Sequence, residues 1–272
     1  MDNQTKFQRR DRPERIVCLT EDPTEILYAL GEGDRVVGIS AFTERPVEAK
    51  DKPVVSAFIG GSIDKIKKLE PDLVIGFSDI QGDLAQELVE ANLQVLIFNQ
   101  RSIQEILDVV TMLGRMVGAE DRAAELVDEY IEGLEAAAAE TADVPESERP
   151  TVYFEEWNDP QICGIRWVGE LVELAGGRNV FANQSLGKQA EDRFVSHEEV
   201  AAADPDAIVA SWCGEPVDKR DFAERPGFDE ITAVQNGDIY EIDSTIILQP
   251  GPAALTDGLD RLESILRPLA GS

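Results

Sequence analysis

The sequence predicts an α/β protein of two lobes, each built on a parallel central sheet, joined by one long α-helix. Three observations carry this. Residues 15–101 alternate short apolar runs with segments of helical spacing. Residues 102–141 keep helical spacing with no proline. A second alternating pattern occupies 142–272. Apolar runs buried on both faces, separated by helices, are the mark of parallel sheets.

In the first lobe, RIVCLT (15–20) reads as a buried strand, and TEILYALG (24–31) as a helix stopped by glycine. Strands follow at 35–40 and 54–57. SIDKIKKL (62–69) reads as a helix with Ser62 as N-cap and Ile63, Ile66 and Leu69 on one face. Pro71 breaks it. DLVIGF (72–77), a helix over 83–91 and a strand over 94–98 complete the lobe. From Ser102 to about Glu140, apolar residues at 103, 106, 107, 110, 113 and 117, then 126, 127, 130, 131 and 134, predict a rod of about 57 Å, with Gly118–Glu120 as the place where it would break. The second lobe predicts strands at 151–154, 207–211 and 238–242, and helices at 167–174, 196–203 and 253–266. KKLEPDLVIGFSD (67–79) and AAADPDAIVASWC (201–213) are loosely alike, which points to two lobes of related design. Residues 1–14 form a charged N-terminal extension.

The 272 residues carry 54 Asp plus Glu against 25 Lys plus Arg, for a net charge of −29. The excess is spread over both halves of the chain, and 17 of the bases are Arg. Such a surface repels phosphate backbones and anionic bilayers, which excludes nucleic-acid binding and membrane-surface association. An acid-rich, Lys-poor surface predicts a halophilic setting, where molar salt shortens the Debye length to about 3 Å. No run approaches a membrane span and no apolar secretory core stands near Met1. The chain as written is therefore expected in the cytoplasm, or outside it if a leader has been removed. A monomer is expected.

Enzyme signatures are absent. There is no GxSxG, and Gly187–Lys188 leads into Gln189 with no P-loop glycine upstream. One histidine, His197, excludes a multi-histidine metal site, and it reads as a surface residue of a helix first turn. Three scattered cysteines, Cys18, Cys163 and Cys213, make no disulfide framework. No catalytic residue, resident metal or required cofactor is predicted. What stands out lies where strands end, the place where ligands meet parallel sheets. Phe42, Phe58 and Phe77 follow strands of the first lobe, Trp157 and Trp212 follow strands of the second, and Trp167 opens a helix. Flat rings suit a large, flat or apolar ligand. The bland alternative is that some of these rings cap a core.

RIVCLTEDPTEILYALGEGDRVVGIS, SIDKIKKLEPDLVIGF, the long helix, ELVELAGGRNVF and SHEEVAAADPDAIV resemble the helical-backbone class of substrate-binding proteins, over about residues 15–268. That class serves ABC importers of vitamin B12, iron–siderophore complexes and haem, and FEEWNDPQICGIRWVGELVELAGG is similar to its cobalamin-binding-like members. The resemblance implies a ligand cleft between the lobes, contacted by Phe42, Phe58, Phe77, Trp157 and Trp212, with the 246–251 loop (IILQPG) at its edge. Gln249 and Arg166 would orient the ligand; Trp167 and Cys213 lie in the same predicted loops. It implies a non-enzymatic protein that hands a cobalamin-like corrinoid to a permease, docked through Asp83 and Glu198. Asp83 stands where the class usually has Glu, and Glu87 is a nearby substitute. Glu21–Asp22–Pro23 departs from the usual turn after the first strand and brings negative charge to the cleft mouth. With only Arg166 and Arg193 as candidate cations there, a neutral or cationic complex is favoured. An iron–siderophore or haem-type chelate, or a cytoplasmic metal-chelate carrier without a permease, are the alternatives.

Overall fold

The computed structural model describes residues 11–270; the first ten residues of the charged extension lie outside them. The chain forms two compact units. One runs through Asn99 and takes in Asp108–Leu126; the other comprises Gln100–Leu107 and the chain from Val127 onward.

The first unit contains β1 (Ile16–Cys18), α1 (Glu21–Ala29), β2 (Val36–Ser40), β3 (Val54–Ala57), β4 (Gly60–Gly61), α2 (Ile63–Lys68), β5 (Leu73–Phe77), α3 (Gly82–Glu90) and β6 (Val95–Phe98). The sheet order is β4-β3-β2-β1-β5-β6. All neighbours are parallel except β3 and β4, which form a hairpin. Val17, Leu19, Val55, Ile66, Val74, Leu84 and Leu88 make a core in which sheet and helices share one apolar layer. Ser62 caps α2 by accepting from the Lys65 N–H. α1 begins earlier than the spacing implies, because Pro23 is tolerated within a first turn.

The segment expected as one rod is two helices, α4 (Ile103–Val117) and α5 (Glu120–Thr141). Gly118 takes φ +77° and the Ala119 N–H returns to the Gly114 carbonyl at 2.8 Å, a left-handed helix stop. In a straight helix, positions 114 and 123 would lie about 13.5 Å apart. Here a Cβ at Gly114 would collide with that of Ala123, so the chain folds back at the glycine.

The second unit contains β7 (Thr151–Asn158), β8 (Gln161–Cys163), α6 (Arg166–Leu174), β9 (Arg178–Asn179), α7 (His197–Ala203), β10 (Ala207–Ala210), α8 (Lys219–Glu224), α9 (Thr232–Asn236), β11 (Ile239–Glu241), α10 (Ser244–Ile247) and α11 (Leu259–Leu266). Its main order is β11-β10-β7-β8, with β9 beside β7. β8 turns back antiparallel on β7, while the other named pairings of this sheet are parallel, as expected of its centre. Ser196 and Glu199 form a reciprocal capping box on α7. The helix expected across 253–266 is present, with a π-helical stretch over Ala254–Gly258 leading into α11. Among the described residues no helix is long and apolar enough to cross a membrane.

Candidate functional site

Parallel pairing sets the carboxyl ends of β1, β2, β3, β5 and β6 along one edge of the first sheet. Three of the loops leaving that edge carry exposed apolar side chains: Phe42 after β2 (41% exposed), Ile59 after β3 (63%) and Ile80 after β5 (51%). Phe58 is half-buried with φ +37°, while Phe77 is only 7% exposed and belongs to the interior. Ile59 and Ile80 were not singled out from sequence, since an isolated isoleucine in a loop has no pattern to mark it. The central strand β1 ends in an acidic turn. Glu21 and Asp22 are both buried, and Asp22 accepts from the Thr20 hydroxyl at 2.7 Å. Burial, then the neighbouring Asp22, pushes the Glu21 carboxyl up to about 7.

In the second unit, β7 and β10 run parallel and end near Trp157 and Trp212. Trp157 is half-buried and donates to the Asp159 carbonyl. Trp212 is 6% exposed, its Nε1 3.0 Å from Glu155 Oε1. Glu155 is fully buried and its carboxylate is a hub. It accepts from the Tyr153 hydroxyl (3.0 Å) and Gln161 Nε2 (3.2 Å), and it takes both Nη atoms of Arg225 at 2.5 and 3.0 Å. Arg225 lies over the Phe222 ring, 4.1 Å from its centroid, and Phe222 stacks against Trp212. Glu156, next in the strand, points the other way and pairs with buried Arg193. The Glu155–Arg225 pair was not visible from sequence, because seventy residues separate its members.

Trp167 is 2% exposed and donates to the Ile247 carbonyl at 3.0 Å. Gln100 donates to the Pro250 carbonyl at 3.2 Å. These two bonds fasten the loop that carries Gln249, which is half-buried. Arg166 is exposed and paired with Glu170 at 2.8 Å, across a surface depression it shares with Arg149 and Ser102. Cys213 is exposed; Cys163 is buried, its thiol pushed up to about 11 by that burial. Among the described residues no group of three or more His, Cys, Asp or Glu is placed to hold a metal.

Asp83 and Glu87 are exposed on α3. On α7, Glu199 is committed to the capping box, whereas Glu198 is exposed and lines a depression of about 620 Å³ with His197, Asp221, Glu224 and Arg225. His197 sits edge-on to Phe228, 5.5 Å between centroids.

Residues 16–246 match the family model described as Periplasmic binding protein. An uncharacterized ABC transporter substrate-binding lipoprotein of Bacillus subtilis, YvrC, is 29% identical over 266 residues, covering 95% of this chain and 82% of its own. A Vitamin B12-binding protein of Vibrio vulnificus is 28% identical over 248 residues, covering 89% and 86%. Among solved structures, the periplasmic heme-binding protein RhuT of a Roseiflexus species is 26% identical with a TM-score of 0.78, covering 93% of this chain and 98% of that one. With mixed, mostly parallel sheets in each unit and a family match over most of its length, the chain belongs to the class III periplasmic binding proteins, the non-enzymatic substrate-binding proteins of ABC transporters.

Proposed function

We propose that this protein captures a cobalamin-like corrinoid on the carboxyl edges of its two sheets and delivers it to an ABC importer. The observation that carries the ligand class is electrostatic. Both arginines that the sequence offers to an anionic chelate are already neutralised, Arg166 by Glu170 and Arg193 by Glu156. The turn after β1 adds two buried acids. Exposed Phe42, Ile59 and Ile80 supply apolar contact, and Gln249 and Trp157 supply polar and ring contact from the second unit. Likeness to the Vibrio vulnificus protein, named for vitamin B12, points the same way. Likeness to the heme-binding RhuT keeps haem as the second reading. Asp83 on α3 and Glu198 on α7 are the acids assigned to permease docking, through pairing with basic residues. The acidic surface fits a molar-salt setting. Parallel calorimetric titrations with cyanocobalamin, haemin and a ferric hydroxamate test the ligand. Heat with the corrinoid alone supports the proposal, and heat only with haemin or the hydroxamate overturns it.

A further inference from the structure

β3 and β4 are joined by a two-residue turn, Phe58–Ile59, with Ala57 paired to Gly60 and Ser56 to Gly61. Phe58 takes φ +37°. Hairpin turns with positive φ at their first central residue ordinarily place glycine there, because a Cβ is strained in that region. This chain instead has a phenylalanine at that position and keeps its glycines for the two residues after Ile59. The strained turn exposes Ile59 at the carboxyl edge of the sheet.

One side chain holds the turn from outside its own hairpin. Gln81 follows exposed Ile80 and is itself completely buried. Its Oε1 accepts from the Phe77 N–H at 3.0 Å, and its Nε2 donates to the Phe58 carbonyl. Phe77 ends β5, whereas Phe58 follows β3, and two strands separate β3 from β5 in the sheet. The amide therefore ties together loops about 14 Å apart at the level of their strands. Room for it comes from Gly76, where a Cβ would collide with Gln81 Oε1. The loop that carries Gln81 is fixed in turn. Ser78, at φ +73°, donates its N–H to the Phe98 carbonyl at 2.6 Å and accepts from the Ile80 N–H at 3.3 Å.

Backbone strain that persists must be held by its surroundings, and it gathers where a surface has to be presented in one form. We infer that Gln81 is a positioning residue that holds the strained Phe58–Ile59 turn as an apolar contact for the flat face of the ligand. The ligand half rests on the function proposed above; the positioning half does not. Gln81→Leu keeps the approximate volume and removes both bonds. Gln81→Met likewise removes both bonds with a more flexible apolar side chain, and serves as the second variant if the leucine does not fold.

The experiment combines amide hydrogen exchange over residues 57–62 with calorimetric titration of cyanocobalamin. Both variants are expected to exchange at least about tenfold faster in that segment, and at Phe77, whose N–H loses its acceptor, while β1, β6 and the rest of β5 keep wild-type protection. Their corrinoid Kd is expected to rise by about tenfold or more. Phe58→Gly placed on Gln81→Leu is expected to restore slow exchange without restoring affinity, because glycine tolerates the turn but lacks the ring. Unchanged exchange at 57–62 overturns the positioning role whether or not any ligand binds. Faster exchange with unchanged affinity overturns the ligand contact. Absence of heat from wild type with cyanocobalamin fails the corrinoid assignment, and the exchange result still decides the role of Gln81.

Discussion

Replacing Glu21 by glutamine should change how stability depends on pH, by an amount that follows from the burial of one carboxyl group. Glu21 sits in the first turn of α1, where the helix dipole favours an anion. Opposing this, the side chain is 6% exposed, its Oε2 has no hydrogen-bond partner, and Asp22 stands beside it. Burial wins, and the carboxyl titrates near about 7 instead of 4.5. Between those values the folded state binds a proton that the unfolded chain releases. The contribution is therefore fully present below about pH 4.5 and is lost as pH rises through about 7. A separation of about 2.5 units corresponds to roughly 3 kcal/mol at full ionisation. Glutamine mimics the protonated acid at every pH. Urea unfolding at fixed ionic strength should show Glu21→Gln gaining on wild type by about 2.5 kcal/mol between about pH 5 and pH 8.5. A gap that stays flat within about 0.5 kcal/mol, or that moves in favour of wild type, would refute the burial argument and leave the helix dipole dominant.

Three further outcomes follow from the same contacts. Arg225→Met should cost about 3–5 kcal/mol in urea unfolding by leaving the buried Glu155 carboxylate without its cation, and adding Glu155→Gln should recover most of it. Gly118→Ala should lower stability by about 1 kcal/mol because the helix stop needs φ +77°, whereas Gly133→Ala, exposed within α5 with open space at its Cβ, should raise stability by about 0.5–1 kcal/mol. Thermal melts should shift upward between about 0.1 M and 3 M KCl as self-repulsion among 54 acids is screened; equal midpoints would contradict that reading of the charge.

The sheets were legible because their central strands are short and buried on both faces, so LVIGF and AIVA stand out as continuous apolar runs. The break at Gly118 was harder to read. An isolated glycine inside a helical pattern marks either a tolerated defect or a stop, and the left-handed turn that decides it depends on Gly114 packing against Ala123. The nine-residue step from Val117 to Leu126 with only alanines between as apolar residues was the available sign. The β7–β8 hairpin hides in Asn158–Asp159–Pro160, a turn signal followed by a strand of only three residues. At the site, sequence located the strand ends but not the direction of each side chain. Phe42 faces solvent, whereas Phe77, Trp167 and Trp212 are buried. The groups that hold these loops, Gln81, Glu155 and Arg225, act through contacts between distant segments and leave no local pattern.

The central claim is capture of a corrinoid by a non-enzymatic binding protein, and direct titration with cyanocobalamin tests it most plainly. Calorimetry with about 100 µM protein should give saturable heat at one equivalent and a Kd of about 1 µM or tighter. Absence of heat with any corrinoid at that concentration would contradict it.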